Sequence, residues 1–166
     1  MRSIAWCIAG AILLASSGCQ SDRADVTALD RPPLPETAVL VASLADPPVG
    51  TEITVTARVT PIHDHNFIGS FSSILRYDTT AVIFEGEVPL EGGLRAVNGS
   101  EAGVVRVAGA SADGFRDGRL FAVRLRVLRR GALSTLALAV PQLGGVTFGN
   151  RLGGLSVERA VRVSTR

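Results

Sequence analysis

Leu120-Phe121-Ala122-Val123-Arg124-Leu125-Arg126-Val127-Leu128 is the stretch that decides the fold. Successive side chains of an extended chain point to opposite faces, so Phe121, Val123, Leu125 and Val127 share one side while Arg124 and Arg126 share the other. A helix would scatter these apolar residues around its surface. The alternation therefore specifies a half-buried strand. Thr51 to Thr60 repeats it, with Ile53, Val55, Ala57 and Val59 set against Glu52, Thr54, Thr56 and Arg58. In Phe67 to Tyr77, the residues Phe71, Ser73, Leu75 and Tyr77 oppose Ser72, Ile74 and Arg76. In Val104 to Ala108, Val105 and Val107 oppose Arg106.

Working outward, five more segments complete the set: Thr37 to Leu44, Thr80 to Phe84, Leu94 to Val97, Leu133 to Val140 and Leu155 to Val163. Between the segments lie turn-forming pairs, among them Asp78-Thr79, Gly92-Gly93, Asn98-Gly99, Asp113-Gly114, Asp117-Gly118 and Gly153-Gly154. The run from Ala132 to Val140 is apolar enough for a helix, but it follows a glycine and stops at Pro141. No window holds a capped 3.6-residue period. About nine short strands at this spacing predict an all-β sandwich or barrel over residues 37–166.

The N-terminus carries a different signal. Met1-Arg2-Ser3 is followed by twelve mostly apolar residues from Ile4 to Ala15, and then by Ser16-Ser17-Gly18-Cys19. A positive charge, a short apolar core and small residues describe an export signal, and a spanning helix would need about 20 apolar residues. The cysteine makes the stretch resemble a bacterial lipoprotein signal, with Ser16 standing where an aliphatic residue is commoner. That resemblance implies a signal peptide over 1–18, cleavage before Cys19, and acylation of its thiol. Gln20 replaces the aspartate that retains some lipoproteins at the inner membrane, so the expected location is the outer membrane or cell surface. More than one acyl chain is needed for a stable anchor.

Residues 19–36 read as a tether: polar, then Pro32-Pro33-Leu34-Pro35, stiffened toward polyproline conformation. Seventeen residues of it, from Gln20 to Glu36, would reach about 50 Å at ~3.1 Å each. Cys7 is expected to leave with the leader, so a chain beginning at Cys19 can form no internal disulfide and must rely on an apolar core. All 17 Lys+Arg residues are arginine, balanced by 15 acids, for a net charge of +2. Outside the pair Arg129-Arg130 the arginines do not cluster, which excludes the electrostatic footprint of a nucleic-acid binder. Exposed strand faces need charges for solubility, and in a chain without lysine Arg58, Arg76, Arg106, Arg124, Arg126 and Arg162 supply them.

The motifs in order resemble the cohesin family. Gly50-Thr51-Glu52-Ile53-Thr54-Val55 is similar to the start of the cohesin second strand. Phe71 to Asp78, continuing into Thr79-Thr80-Ala81-Val82-Ile83-Phe84, resembles the aromatic third strand, its Tyr-Asp turn and the short strand after it. Val104 to Ser111 resembles a strand ending in small residues, and Gly114 through Asp117-Gly118 to Leu125 resembles the loop and long strand that follow. The resemblance spans about Thr37 to Ser164. It implies a nine-stranded jelly-roll β-sandwich, related to certain carbohydrate-binding modules, that binds dockerins through one flat sheet face. Mapped here, that face includes Ser72, Ile74, Arg76 and Arg106, with Arg124 and Arg126 as further members. The Asn and Asp constellation of cellulosomal cohesins is missing.

Catalytic chemistry is not expected, and neither is a cofactor or a metal. His63-Asp64-His65 places two imidazoles near a carboxylate, but no third histidine or thiolate is present to complete a zinc site, so a solvated loop is expected. Asp113 and Asp117 offer two carboxylates where calcium wants six or more oxygens, so a plain turn is expected. Gly109-Ala110-Ser111-Ala112 lacks the second glycine and the strand–turn–helix setting of a nucleophile elbow. The expected function is non-catalytic recognition of a dockerin-like or other secreted protein, linked to polysaccharide degradation. Direct carbohydrate binding is the alternative; without Trp6 the chain keeps no tryptophan, and Tyr77 falls on an inward face, which removes the usual stacking platform.

Overall fold

The structure, a computed structural model, describes residues 36–60, 67–146 and 155–164. The leader, Cys19, most of the proline-rich stretch and His63-Asp64-His65 lie outside the described residues. Nine strands occur among those described: β1 (Glu36–Ala42), β2 (Glu52–Thr60), β3 (Ile68–Arg76), β4 (Val82–Glu87), β5 (Leu94–Asn98), β6 (Val104–Phe115), β7 (Arg119–Val127), β8 (Ala137–Gly145) and β9 (Leu155–Val163). One short 3-10 turn, Ala132–Thr135, joins β7 to β8. The strands form a five-stranded sheet in the order β4-β7-β2-β1-β9 and a four-stranded sheet in the order β5-β6-β3-β8. Neighbours pair antiparallel except β1 and β9, which are parallel. This is the sandwich expected from the alternation.

The alternating residues meet in one core. Ile53, Val55, Ala57 and Val59 of β2 pack with Phe121, Val123, Leu125 and Val127 of β7, and Phe71 and Leu75 of β3 close over them with Val105 and Val107 of β6. Removing this apolar surface from water is the main force holding the two sheets together. Tyr77 packs against the same core, half-buried.

Three segments depart from expectation. β6 continues from Ala108 to Phe115 instead of stopping, because Ile68 pairs with Phe115 while Ser70 pairs with Ala110, leaving a bulge that absorbs Asp113 and Gly114. Residues 133–135 lie in the 3-10 turn and Leu136 follows as its cap, rather than forming strand, and β8 runs on through Pro141 to Gly145. Proline lacks the N–H for a ladder bond and is tolerated at edges and bulges. Pro141 has both, since β8 is an edge strand and its pairing slips between Ser72 and Ile74.

At β6, Gly109 is required by packing: a Cβ there would stand 2.3 Å from the Phe71 ring. Phe71 in turn meets Phe115 edge-on, with centroids 5.3 Å apart.

Candidate functional site: the outer face of the four-stranded sheet

The registers lay out this face row by row. Leu94, Ala110, Ser70 and Gly144 form the first row; Ala96, Ala108, Ser72 and Gln142 the second. Asn98, Arg106, Ile74 and Ala139 form the third, and Val104, Arg76 and Ala137 the fourth. From Ser70 to Arg76 is six residues, about 20 Å at ~3.3 Å each. Ala96, Ala108, Ala110, Ala137 and Ala139 are all exposed, and the first two rows carry no charge, while Arg106 stands in the third and Arg76 in the fourth. Leu94 is 81% exposed.

Four of the six face residues read from the sequence sit together here. Ser72, Ile74 and Arg76 belong to β3, and Arg106 stands directly opposite Ile74 on β6. Arg124 and Arg126 do not join them. Their strand, β7, hydrogen-bonds to β2 and β4, which places both arginines on the outside of the other sheet. Alternation distinguishes inward from outward; it does not say which sheet a strand enters, and that is why the two were grouped with the rest.

Several charges on the five-stranded face are engaged, although Arg124 has no ion-pair partner among the described residues. Arg126 pairs with Glu85, and Arg162 pairs with Glu158 at 2.7 Å. Arg58 donates from Nη2 to the Asp117 carbonyl at 3.3 Å. On the four-stranded face Arg106 pairs with Glu101 at 3.0 Å, while Arg76 has no ion-pair partner among the described residues.

One cation was not singled out in the sequence. Arg95 lies on β5 at the inward register, beside outward Leu94. Its guanidinium donates to the carbonyls of Leu120 (2.7 Å), Gly92 (2.7 Å), Arg119 (3.1 Å) and Leu90 (3.2 Å), and it stacks 4.5 Å above the Phe115 ring. It fastens the edge of one sheet to the first residues of β7 in the other. Burial pushes its pKa below the usual arginine value, opposed by the nearby Asp117 charge. Gly93 makes room for this arrangement: its φ is 73°, and a Cβ there would lie 2.7 Å from Phe115. The clue in the sequence was an arginine at an inward position just after Gly92-Gly93.

The remaining candidates are settled by their partners. Asp117 accepts the Arg119 backbone N–H at 2.9 Å and pairs with the Arg119 guanidinium. Burial raises its pKa, but those two bonds and the charges of Arg119 and Arg58 outweigh it, and the net shift is downward. Asp78 is held below the carboxylate range by the Thr80 hydroxyl and N–H and by Arg129. Ser111 lies within strand β6, in no strand–turn–helix setting. Among the described residues no group of three or more His, Cys, Asp or Glu could hold a metal ion.

No protein-family model and no curated protein matches the chain. Solved structures do resemble it. The sixth cohesin of scaffoldin B from Acetivibrio cellulolyticus, solved in complex with a mutant Cel5 dockerin, superimposes with a TM-score of 0.59 at 12% identity, covering 77% of this chain and 99% of that one. A non-cellulosomal cohesin from the hyperthermophilic archaeon Archaeoglobus fulgidus gives 0.56 at 21%, covering 78% and 92%. The seventh ScaB type I cohesin of Pseudobacteroides cellulosolvens gives 0.55 at 18%, covering 79% and 93%. At these identities the likeness is one of fold: the described residues adopt the cohesin-type β-sandwich.

Proposed function

We propose that this cohesin-type domain is a non-catalytic recognition module. It is carried outside the cytoplasm on a lipid anchor at Cys19 and binds a dockerin-type protein through the outer face of β5-β6-β3-β8. The observation that carries the reading is the make-up of that face: a sheet exterior of exposed alanines and half-buried serines, with Ile74 and the Glu101-paired Arg106 side by side near its centre and Arg76, without an ion-pair partner among the described residues, at one end. Such a surface loses little hydration when covered, and the absence of charge from its first two rows matches the centre of protein interfaces. Among the similar structures, two besides the first are cohesins solved with dockerins. Direct sugar binding gains nothing from Tyr77, which is packed on the core and offers no ring to a polysaccharide.

The test is biolayer interferometry of the chain against a panel of recombinant dockerin modules. Ala108→Arg and Ala139→Arg, each placing a long cation on this face, are expected to abolish binding without lowering the melting temperature. Arg124→Glu on the opposite sheet is expected to leave it intact. Equal affinity in all of these variants would sink the assignment of the face. The anchor has its own test: lipid labelling of Cys19 in a bacterial host, lost in Cys19→Ser.

A further inference from the structure

The outer face of the five-stranded sheet holds a recess of about 200 Å³. It follows β2 from Thr54 past Thr56 to Arg58, between Val41 of β1 and Arg119 of β7. Those four residues of strand span about 13 Å at ~3.3 Å each. The two ends differ. At one, Arg58 and Arg119 stand opposite each other in register. Asp117 gives its carboxylate to Arg119, accepting the backbone N–H at 2.9 Å and pairing with the guanidinium. Arg58 is left with one long hydrogen bond, from Nη2 to the Asp117 carbonyl at 3.3 Å. Its Nε is buried with no hydrogen-bond partner among the described residues. A guanidinium carries five N–H donors, so this half-buried cation is under-satisfied, and a group in that state calls for a partner.

The other end carries hydroxyls. Ser43 and Ser164 line it beside Thr54, and Ser43 Oγ accepts the Thr54 N–H at 3.2 Å. The hydroxyls of Thr54, Thr56 and Ser164 have no hydrogen-bond partner among the described residues. Glu52 is the next outward position beyond Thr54, so its negative charge marks the end away from Arg58, and Arg124, opposite Thr54, does not line the recess. We propose that this recess binds a small hydroxylated carboxylate of the sugar-acid class. Its carboxylate lies between Arg58 and Arg119, and its hydroxyls lie along Thr56, Thr54 and Ser164. Guanidinium N–H groups match the paired oxygens of a carboxylate. Serine and threonine hydroxyls both donate and accept, which suits a ligand's own hydroxyls, whereas an inorganic oxyanion would leave them unused. The volume falls below the ~300 Å³ at which pockets for drug-sized ligands begin, so the occupant is a single ring or smaller. The site lies on the opposite exterior from the β5-β6-β3-β8 face and does not depend on how that face is used.

The test is a heteronuclear NMR titration of the full chain with D-glucuronate, with D-glucose and sodium sulfate as comparison probes at matched ionic strength. Glucuronate is expected to shift the amide signals of Thr54, Thr56 and Ser164 saturably and to leave those of Ile74 and Ala108 in place. Glucose should shift none of them, and sulfate should bind at least about tenfold more weakly. Arg58→Gln is expected to weaken glucuronate about tenfold, and Thr56→Val about threefold. Thr56→Val keeps the β-branched shape, so it decides the matter if Arg58→Gln does not fold. Binding of glucose or sulfate as tight as that of glucuronate overturns the sugar-acid class. Absence of a saturable shift at Thr54, Thr56 and Ser164, or affinity unchanged in both variants, overturns the site.

Discussion

The two exteriors of the sandwich are made by the same alternation, yet they end up chemically unlike. Outside the five-stranded sheet, Glu85 with Arg126 and Glu158 with Arg162 neutralise each other in place. Outside the four-stranded sheet, the first two rows carry no charge, and the cations Arg106 and Arg76 stand in the third and fourth. Water-facing strands need only be polar enough to stay soluble, and ion pairs achieve that on one side. The other side has one such pair, Arg106 with Glu101, and leaves its first two rows uncharged, which has a use if it is to be covered by a partner. The difference also explains why the six candidate residues divide as they do: Arg124 and Arg126 belong to the solubilising surface.

The largest expected effect comes from unfastening the two sheets. Arg95→Met removes a charged donor from four carbonyls, and should cost roughly 3 kcal/mol of stability by denaturant titration. A loss under about 0.5 kcal/mol would show that the sheets need no such clasp. Next, Ala108→Arg should weaken partner binding by at least about 30-fold, equivalent to ~2 kcal/mol. If Arg124→Glu did the same, the contrast between the faces would vanish. Behind this face, Ser73 is buried at 1% exposure, and its hydroxyl has no hydrogen-bond partner among the described residues. Ser73→Ala should therefore stabilise the domain by about 1 kcal/mol while leaving binding unchanged. Breaking the Arg126–Glu85 pair with Arg126→Met should cost under about 1 kcal/mol, since the arginine is half exposed.

The smallest effect is on pH dependence. The pKa values of Asp78 and Asp117 are lower in the folded chain than their ordinary value of 3.8. Each therefore contributes its stability in full above that value and loses it as pH falls through the depressed folded pKa. Asp117→Asn should flatten the acid limb of the melting-temperature curve below about pH 4. An unchanged curve would mean that the Arg119 contacts do not hold that carboxylate charged.

Much of the sandwich was legible because burial imposes a period of two on any strand with one wet side. That is why Ile53, Val55, Ala57 and Val59 could be placed inward before any coordinates, and why β9 was bounded as it is observed. Features that depend on a neighbour were less visible. The bulge that carries β6 through Asp113 and Gly114 exists only relative to β3, and Pro141 looked like a stop until β8 proved to be an edge. Arg95 was not singled out, since its acceptors are backbone carbonyls, among them two about 25 positions along the chain.

By itself the sequence determined which side chains turn inward and that the chain closes as two β layers, because alternation is a local property enforced by water. Only the tertiary structure decided which strands share a sheet, and with that which arginines share a surface. Strand pairing is chosen by backbone hydrogen bonds between distant segments, and no local pattern of side chains encodes it.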